Sequence, residues 1–132
     1  MWLFGKKART PNGEDLGRRG ESAAGSALKR SGMKILARNY RCPAGEIDLI
    51  ALDRSADGDC IAFVEVKTRS SDEFVLPQSA VGRKKQDHIR RAASYYIHTH
   101  PQADRYQLRF DVVSVLVDSD GKAVVTHIPD AF

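Results

Sequence analysis

Cysteine is scarce in this chain: 132 residues hold two, Cys42 and Cys60. They fall in no metal-binding spacing, and two are too few for a disulfide scaffold. A cytoplasmic protein with free thiols is the expectation. Long apolar runs are missing as well. None approaches the about 18 residues that a membrane span needs, and Met1–Phe4 is too short for a signal-peptide core. Internal repeats and low-complexity tracts are absent, which excludes solenoid and fibrous architectures. Acidic residues do not dominate either. Lys and Arg outnumber Asp and Glu by 21 to 17, a formal charge of +4. That balance suits a polyanionic partner without requiring one. The length is that of one domain with a real core.

What is present is concentrated between Gly45 and Arg69. Two apolar runs, Ile47–Ala51 and Ile61–Lys67, flank the polar cluster Asp53–Asp59. This reads as a β-hairpin joined by a longish polar loop. Side chains alternate along a strand, so Phe63, Glu65 and Lys67 share one face and Val64 and Val66 the other. A strand this apolar belongs in the middle of a sheet, yet it carries a carboxylate and an ammonium. Buried ionised groups are costly unless paired, hydrogen-bonded or bound to metal. Asp48 repeats the anomaly on the first strand. Two carboxylates supply hard oxygen ligands for Mg²⁺, which completes its shell with waters and a substrate phosphate. Lys67 is placed to orient a water or to stabilise charge on the phosphate. The plain alternative is a buried ion pair, Glu65–Lys67 or Asp48–Lys67.

The motif Gly45-Glu46-Ile47-Asp48-Leu49-Ile50-Ala51, followed by Phe63-Val64-Glu65-Val66-Lys67-Thr68-Arg69, resembles the D…ExK signature of the PD-(D/E)XK nuclease superfamily. More narrowly the chain resembles the bacterial YraN family. Gly20-Glu21 with Ala24, Asn39 with Arg41, Lys85, and Arg109-Phe110-Asp111 also match that pattern. Glu46-Ile47 stands where the superfamily's name-giving proline would be. The resemblance implies a restriction-endonuclease-like fold and Mg²⁺- or Mn²⁺-dependent hydrolysis of DNA phosphodiesters. Asp48 and Glu65 would be its metal ligands, and Glu21, Asp48, Glu65 and Lys67 its catalytic set. Branched or damaged DNA is the substrate suggested by analogy with the superfamily's junction resolvases.

Around that centre the chain divides simply. Residues 1–13, with Lys6, Lys7, Arg9 and the turn signal Pro11-Asn12-Gly13, read as a flexible basic arm before a single domain over 14–132. Glu14–Ser31 has helical periodicity, with Gly17, Gly20, Ala24, Ala27 and Leu28 on one side. Gly17 and Gly20 cost helix stability, which points to close packing on the sheet. Glu21 lies at the edge of that stripe. Met33–Tyr40 reads as a strand, with Asn39 and Arg41 as supports for the hairpin, and Cys42–Gly45 as a turn. Ser70–Gln78 is a polar loop with Phe74, Val75 and Leu76 embedded.

Ser79–Thr99 reads as the clearest helix, with Val81, Ile89, Ala92, Ala93, Tyr96 and Ile97 as its apolar stripe. Arg83, Lys84, Arg90 and Arg91 form an outward basic face. Lys85 instead falls inside the stripe, so it either snorkels to water or reaches an anion at the catalytic edge. Arg69, Arg83, Lys84 and Lys85 are the expected nucleic-acid contacts. Gln107–Val117 is a strand buried on both faces, with Arg109 and Asp111 able to pair. Asp118–Gly121 is a turn, Ala123–Ile128 a last strand, and His127 a structural histidine.

The order α-β-β-β-α-β-β predicts an α/β domain: a mixed sheet flanked by helices, in which three central strands form a meander. Two functions fit. One is the metal-dependent nuclease; the other is a non-catalytic nucleic-acid-binding module on a nuclease scaffold. A small chain acting on duplex DNA would reach both strands as a homodimer.

Overall fold

The computed structural model describes residues 13–55, 58–70 and 81–132. Helix α1 spans Gly13–Arg30 and α2 spans Arg83–Thr99. The strands are β1 Lys34–Cys42, β2 Gly45–Ser55, β3 Gly58–Ser70, β4 Gln107–Val117 and β5 Ala123–Ile128. The element order is the expected one, with a short 3₁₀ turn at Pro101–Ala103 added before β4. One five-stranded sheet runs β1-β2-β3-β4-β5. Only the β3–β4 pair is parallel, joined through α2; the other three pairs are antiparallel. The meander β1–β3 therefore sits to one side, with β1 at an edge and β3 in the middle.

One helix packs on each face, giving an α/β/α sandwich. Ala24 and Leu28 of α1 pack on Leu49, Ala51, Ala62, Val64, Val113 and Val115. Ile89, Ala92, Ala93 and Tyr96 of α2 pack on Ile47, Ile50, Ile61, Phe63 and Val112. Because β3 is covered on both sides, every residue from Cys60 to Val66 is buried. Among the described residues no helix is long and apolar enough to cross a membrane.

Several expectations change in detail. The hairpin has no seven-residue loop. Its ladder continues through Asp53↔Cys60 and Arg54↔Asp59 to Ser55↔Gly58, leaving only residues 56–57, which lie outside the described residues. Arg54, Ser55, Gly58 and Asp59 stay exposed in the extended ladder, so their pairing costs them no burial. Helix α2 begins at Arg83, because Gly82 is extended (φ −78°, ψ 169°) and acts as the N-cap. Val81 still reaches the core from ahead of the helix, and its carbonyl accepts a hydrogen bond from the Gln86 side chain. The basic arm, the loop over Ser71–Gln78 and the expected helix start at Ser79 lie outside the described residues; Gly13 alone of the arm is described, as the first residue of α1.

The two glycines of α1 do not share a role. A Cβ on Gly17 meets nothing within 4 Å, whereas one on Gly20 would collide with Thr68 Oγ1 and lie 2.7 and 2.8 Å from its Cγ2 and Cβ. Rotating Thr68 cannot clear its own Cβ. Gly20→Ala should therefore destabilise the protein by about 1–3 kcal/mol through overpacking, despite the gain in helix propensity. Gly17→Ala, free of contact, should stabilise it by up to about 1 kcal/mol. Urea midpoints measure both; shifts of the same sign would mean that close approach to β3 is not what Gly20 provides.

Candidate active site

The carboxylates meet where β2 and β3 part. The β2–β3 ladder ends at Leu49↔Val64. One residue further, Asp48 Oδ2 accepts a hydrogen bond from the backbone N–H of Val66 at 2.8 Å. The side chain takes the place a β2 carbonyl would have held. Strict alternation would put Ile47 and Leu49 on one face, yet Ile47 packs under α2 and Leu49 under α1. The strand thus switches faces at Asp48, and its neighbour on β1 compensates: Asn39 has φ 51°, a left-handed conformation that asparagine tolerates better than most residues. Asp48 is thereby directed into the gap between diverging strands rather than onto either face.

Glu65 follows the ordinary alternation and lies on the α2 face, 6 % exposed. Lys85, in the first turn of α2, brings Nζ to 3.7 Å from Glu65 Oε2 while its side chain stays half exposed. Burial, and then the negative charge of Asp48, push the Glu65 carboxyl up from its ordinary 4.5 to about 7; Lys85 and Lys67 oppose the shift. A hydrogen bond between Glu65 and Asp48 adds to it. Two negative charges close together in a buried space repel, so the Glu65 carboxyl keeps its proton to a higher pH than a free glutamate.

Glu21 approaches from α1. It is half-buried, and its carboxyl is also raised, by burial first and by Asp48 second, against a hydrogen bond with the Asn39 side chain. Asp48 is thus the charge that both Glu21 and Glu65 sense, one from each helix layer. Lys67 and Arg69 are half-buried and follow Glu65 along the same face of β3. Arg83 and Lys84 are exposed at the start of α2. Arg41 pairs with Glu46 at 3.4 Å, both side chains largely exposed. Arg90, expected among the outward cations, places its guanidinium 4.7 Å from the Phe110 ring centroid and 5.4 Å from that of Phe132. Arg90 is exposed as expected, and the ring faces attract its cation while it stays in contact with water.

Among the described residues no three His, Cys, Asp or Glu side chains are close enough to form a closed metal cage. Asp48 and Glu65 leave an open arrangement of hard oxygens. That fits Mg²⁺, which commonly takes one or two carboxylates and keeps waters and phosphate for the remainder. It does not fit a structural zinc site, which needs four protein ligands.

A second polar cluster lies on the α1 face, around Arg109 and Asp111 of β4, which stand opposite Ala62 and Val64 in the ladder. Asp111 is fully buried. Arg109 donates to both its oxygens at 2.8 and 2.9 Å, His127 Nε2 lies 2.8 Å from Oδ2, and the Asp130 N–H donates to Oδ1 at 3.0 Å. Arg109 also reaches Asp53 at 2.9 Å. The expected Arg109–Asp111 pair is thus the centre of a network. Asp53 was not legible as its member, since its sequence context is that of a turn. His127 is held by Asp111, as a structural histidine would be.

The fold and the carboxylate pair define a mixed α/β domain with an acidic centre at the splayed end of its middle strands. The chain belongs to the family described as Uncharacterised protein family UPF0102, the YraN family, whose model matches residues 20–115. It is 47 % identical to a UPF0102 protein of Syntrophus aciditrophicus over 88 % of this chain and 87 % of the other. A UPF0102 protein of Caldicellulosiruptor bescii is 46 % identical, covering 92 % and 99 %. One from Moorella thermoacetica is 49 % identical, covering 88 % and 93 %.

Proposed function

We propose that this chain is a Mg²⁺- or Mn²⁺-dependent nuclease that hydrolyses phosphodiester bonds in DNA, with branched or damaged DNA as candidate substrates. The observation that carries the reading is the convergence of Asp48, held by the Val66 N–H, and buried Glu65 at one gap between strands, with Lys85 Nζ 3.7 Å from Glu65 and Lys67 two residues further along the same face. The resemblance to the PD-(D/E)XK superfamily supports the same assignment. Asp48 and Glu65 would hold the ion. When bound, it supplies activation of a water and neutralisation of charge on the phosphate.

This chain's own groups do the rest. The Val66 N–H fixes the orientation of Asp48. Lys67, on the face of Glu65, meets the phosphate oxygen on which charge develops. Lys85, half exposed and 3.7 Å from Glu65, would bind a phosphate at this edge of the site. Glu21, anchored by Asn39, orients a water from the α1 side. Arg69, Arg83 and Lys84 bind neighbouring phosphates without contributing chemistry.

The test is a cleavage screen over single-stranded, duplex and branched DNA with Mg²⁺ or Mn²⁺. Glu65→Ala and Asp48→Ala should each abolish cleavage while retaining DNA binding. Lys85→Met, which keeps the stem, should slow turnover by on the order of 10²-fold without loss of folding. Cleavage that persists in Glu65→Ala, or that ignores metal, would sink the assignment. Salt-dependent binding with no cleavage of any substrate would select the alternative, a non-catalytic binding module.

A further inference from the structure

Among the described residues, helix α2 covers only part of the sheet face that bears Glu65. Beneath it, Phe63 and Val112 are 0 % and 1 % exposed. Two rows further along β3 the situation reverses. The ladders place Lys67 beside Ser114 and Thr126, and Arg69 beside Leu116 and Val124. By the two-residue period all six side chains lie on the face of Glu65. There Leu116 is 38 % and Val124 62 % exposed. A cationic margin on the middle strand thus grades outward into an apolar strip on β4 and β5. Strands lie about 4.8 Å apart, so the strip begins one strand from Arg69 and ends about 10 Å away.

We propose that this part of the sheet face, exposed among the described residues, is a platform for an unpaired nucleic-acid strand. The proposal rests on the nuclease reading of the adjoining carboxylates and names the substrate class of that site. Phosphates of the strand lie along Lys67 and Arg69, and base faces lie on Leu116 and Val124. A duplex keeps its base faces stacked inside and offers nothing to an apolar strip, whereas an unpaired strand exposes both phosphates and bases. The Arg69 row lies four residues beyond Glu65, about 13 Å along β3. Unpaired nucleotides on the platform would therefore flank the cut rather than contain it. A protein partner is the poorer match. Two aliphatic side chains beside two cations fall far short of the roughly 1,000 Å² that a specific protein interface buries.

Three labelled probes of equal phosphate number separate the possibilities: oligo-dT, an abasic strand and a hairpin duplex. Each is titrated by fluorescence anisotropy with Ca²⁺ in place of Mg²⁺. Wild-type protein should bind oligo-dT about ten-fold more tightly than either other probe. Leu116→Thr/Val124→Thr puts a β-branched residue, suited to a strand, at both exposed positions. It should erase that preference, bringing oligo-dT down to the abasic value while leaving abasic and duplex affinities and the salt slope unchanged. Equal wild-type affinity for oligo-dT and the abasic strand overturns the platform, and this comparison needs no mutant to fold. The two readings fail separately. Cleavage without base preference removes the platform alone. Base preference without cleavage removes the nuclease and leaves the platform.

Discussion

Glu65→Gln should make the metal-free protein more stable at pH 8, by about 2–3 kcal/mol, while destroying its proposed activity. The Glu65 carboxyl ionises near 7 in the folded chain and near 4.5 when unfolded, because burial and then Asp48 disfavour its charge. Between those values the folded state holds the proton more tightly than the unfolded state. This contribution to stability is complete below about pH 4.5 and is lost as pH rises through about 7. At about 1.4 kcal/mol for each pH unit between the two values, the full loss is about 3 kcal/mol. Glutamine cannot ionise and can still donate to Asp48, so the variant escapes the loss. Urea denaturation from pH 4.5 to 8 without divalent cations should show wild type and variant converging in acid and separating above neutrality. Parallel pH profiles would mean that Glu65 carries no strained charge. Adding Mg²⁺ should stabilise wild type and leave the variant unmoved, since an ion bound by the folded state alone adds stability in proportion to its occupancy.

The cost of placing a charge in a buried strand is what made the site legible from the amino-acid order. Ile61–Val66 is too apolar to be anything but a middle strand, so Glu65 stood out as a charge in the wrong place. Asp48 stood out likewise on β2. The strand order followed from periodicities of two and 3.6 residues, and β4 and β5 have the expected bounds. The face switch at Asp48 was not legible. It depends on the φ 51° of Asn39 and on a ladder that ends one residue early, neither of which leaves a local composition signal. Helix α2 also misled by its stripe. Val81 fits the apolar period but lies before the helix, because Gly82 caps it. Arg90 is exposed as the helical wheel has it, but its contacts with Phe110 and Phe132 are not legible from a wheel, which omits the neighbouring strand and the end of the chain. Asp53 reads as a turn residue because its partner, Arg109, is 56 positions away.

The network around that arginine carries the other large effect: Asp111→Ala should destabilise the protein by about 3–5 kcal/mol. Burial alone would raise the Asp111 carboxyl. Hydrogen bonds from His127, Arg109 and the Asp130 N–H outweigh it and hold the group below its ordinary 3.8. Arg109 is raised in turn, chiefly by its bond to Asp111. Removing the carboxylate leaves a largely buried guanidinium facing Asp53, and deprives His127 and the Asp130 N–H of their acceptor. Breaking one side of a buried pair costs more than the pair contributed, because the other charge stays desolvated. Against a total of about 5–15 kcal/mol for a domain this size, the loss brings the fold close to its limit. The effect should also spread to residues 129–132, where the Ala131 N–H donates to the Phe110 carbonyl at 2.7 Å and Phe132 stacks on Phe110. Because the Asp111 carboxyl is depressed, its contribution is present above about pH 4 and lost as pH falls through its folded value, the reverse of Glu65. Wild type should therefore lose stability in strong acid in a step that Asp111→Ala lacks. A urea midpoint shift worth under about 1 kcal/mol would show that Arg109 and His127 find other partners. The cluster would then be a surface convenience rather than the clasp between β4, β5 and the end of the chain.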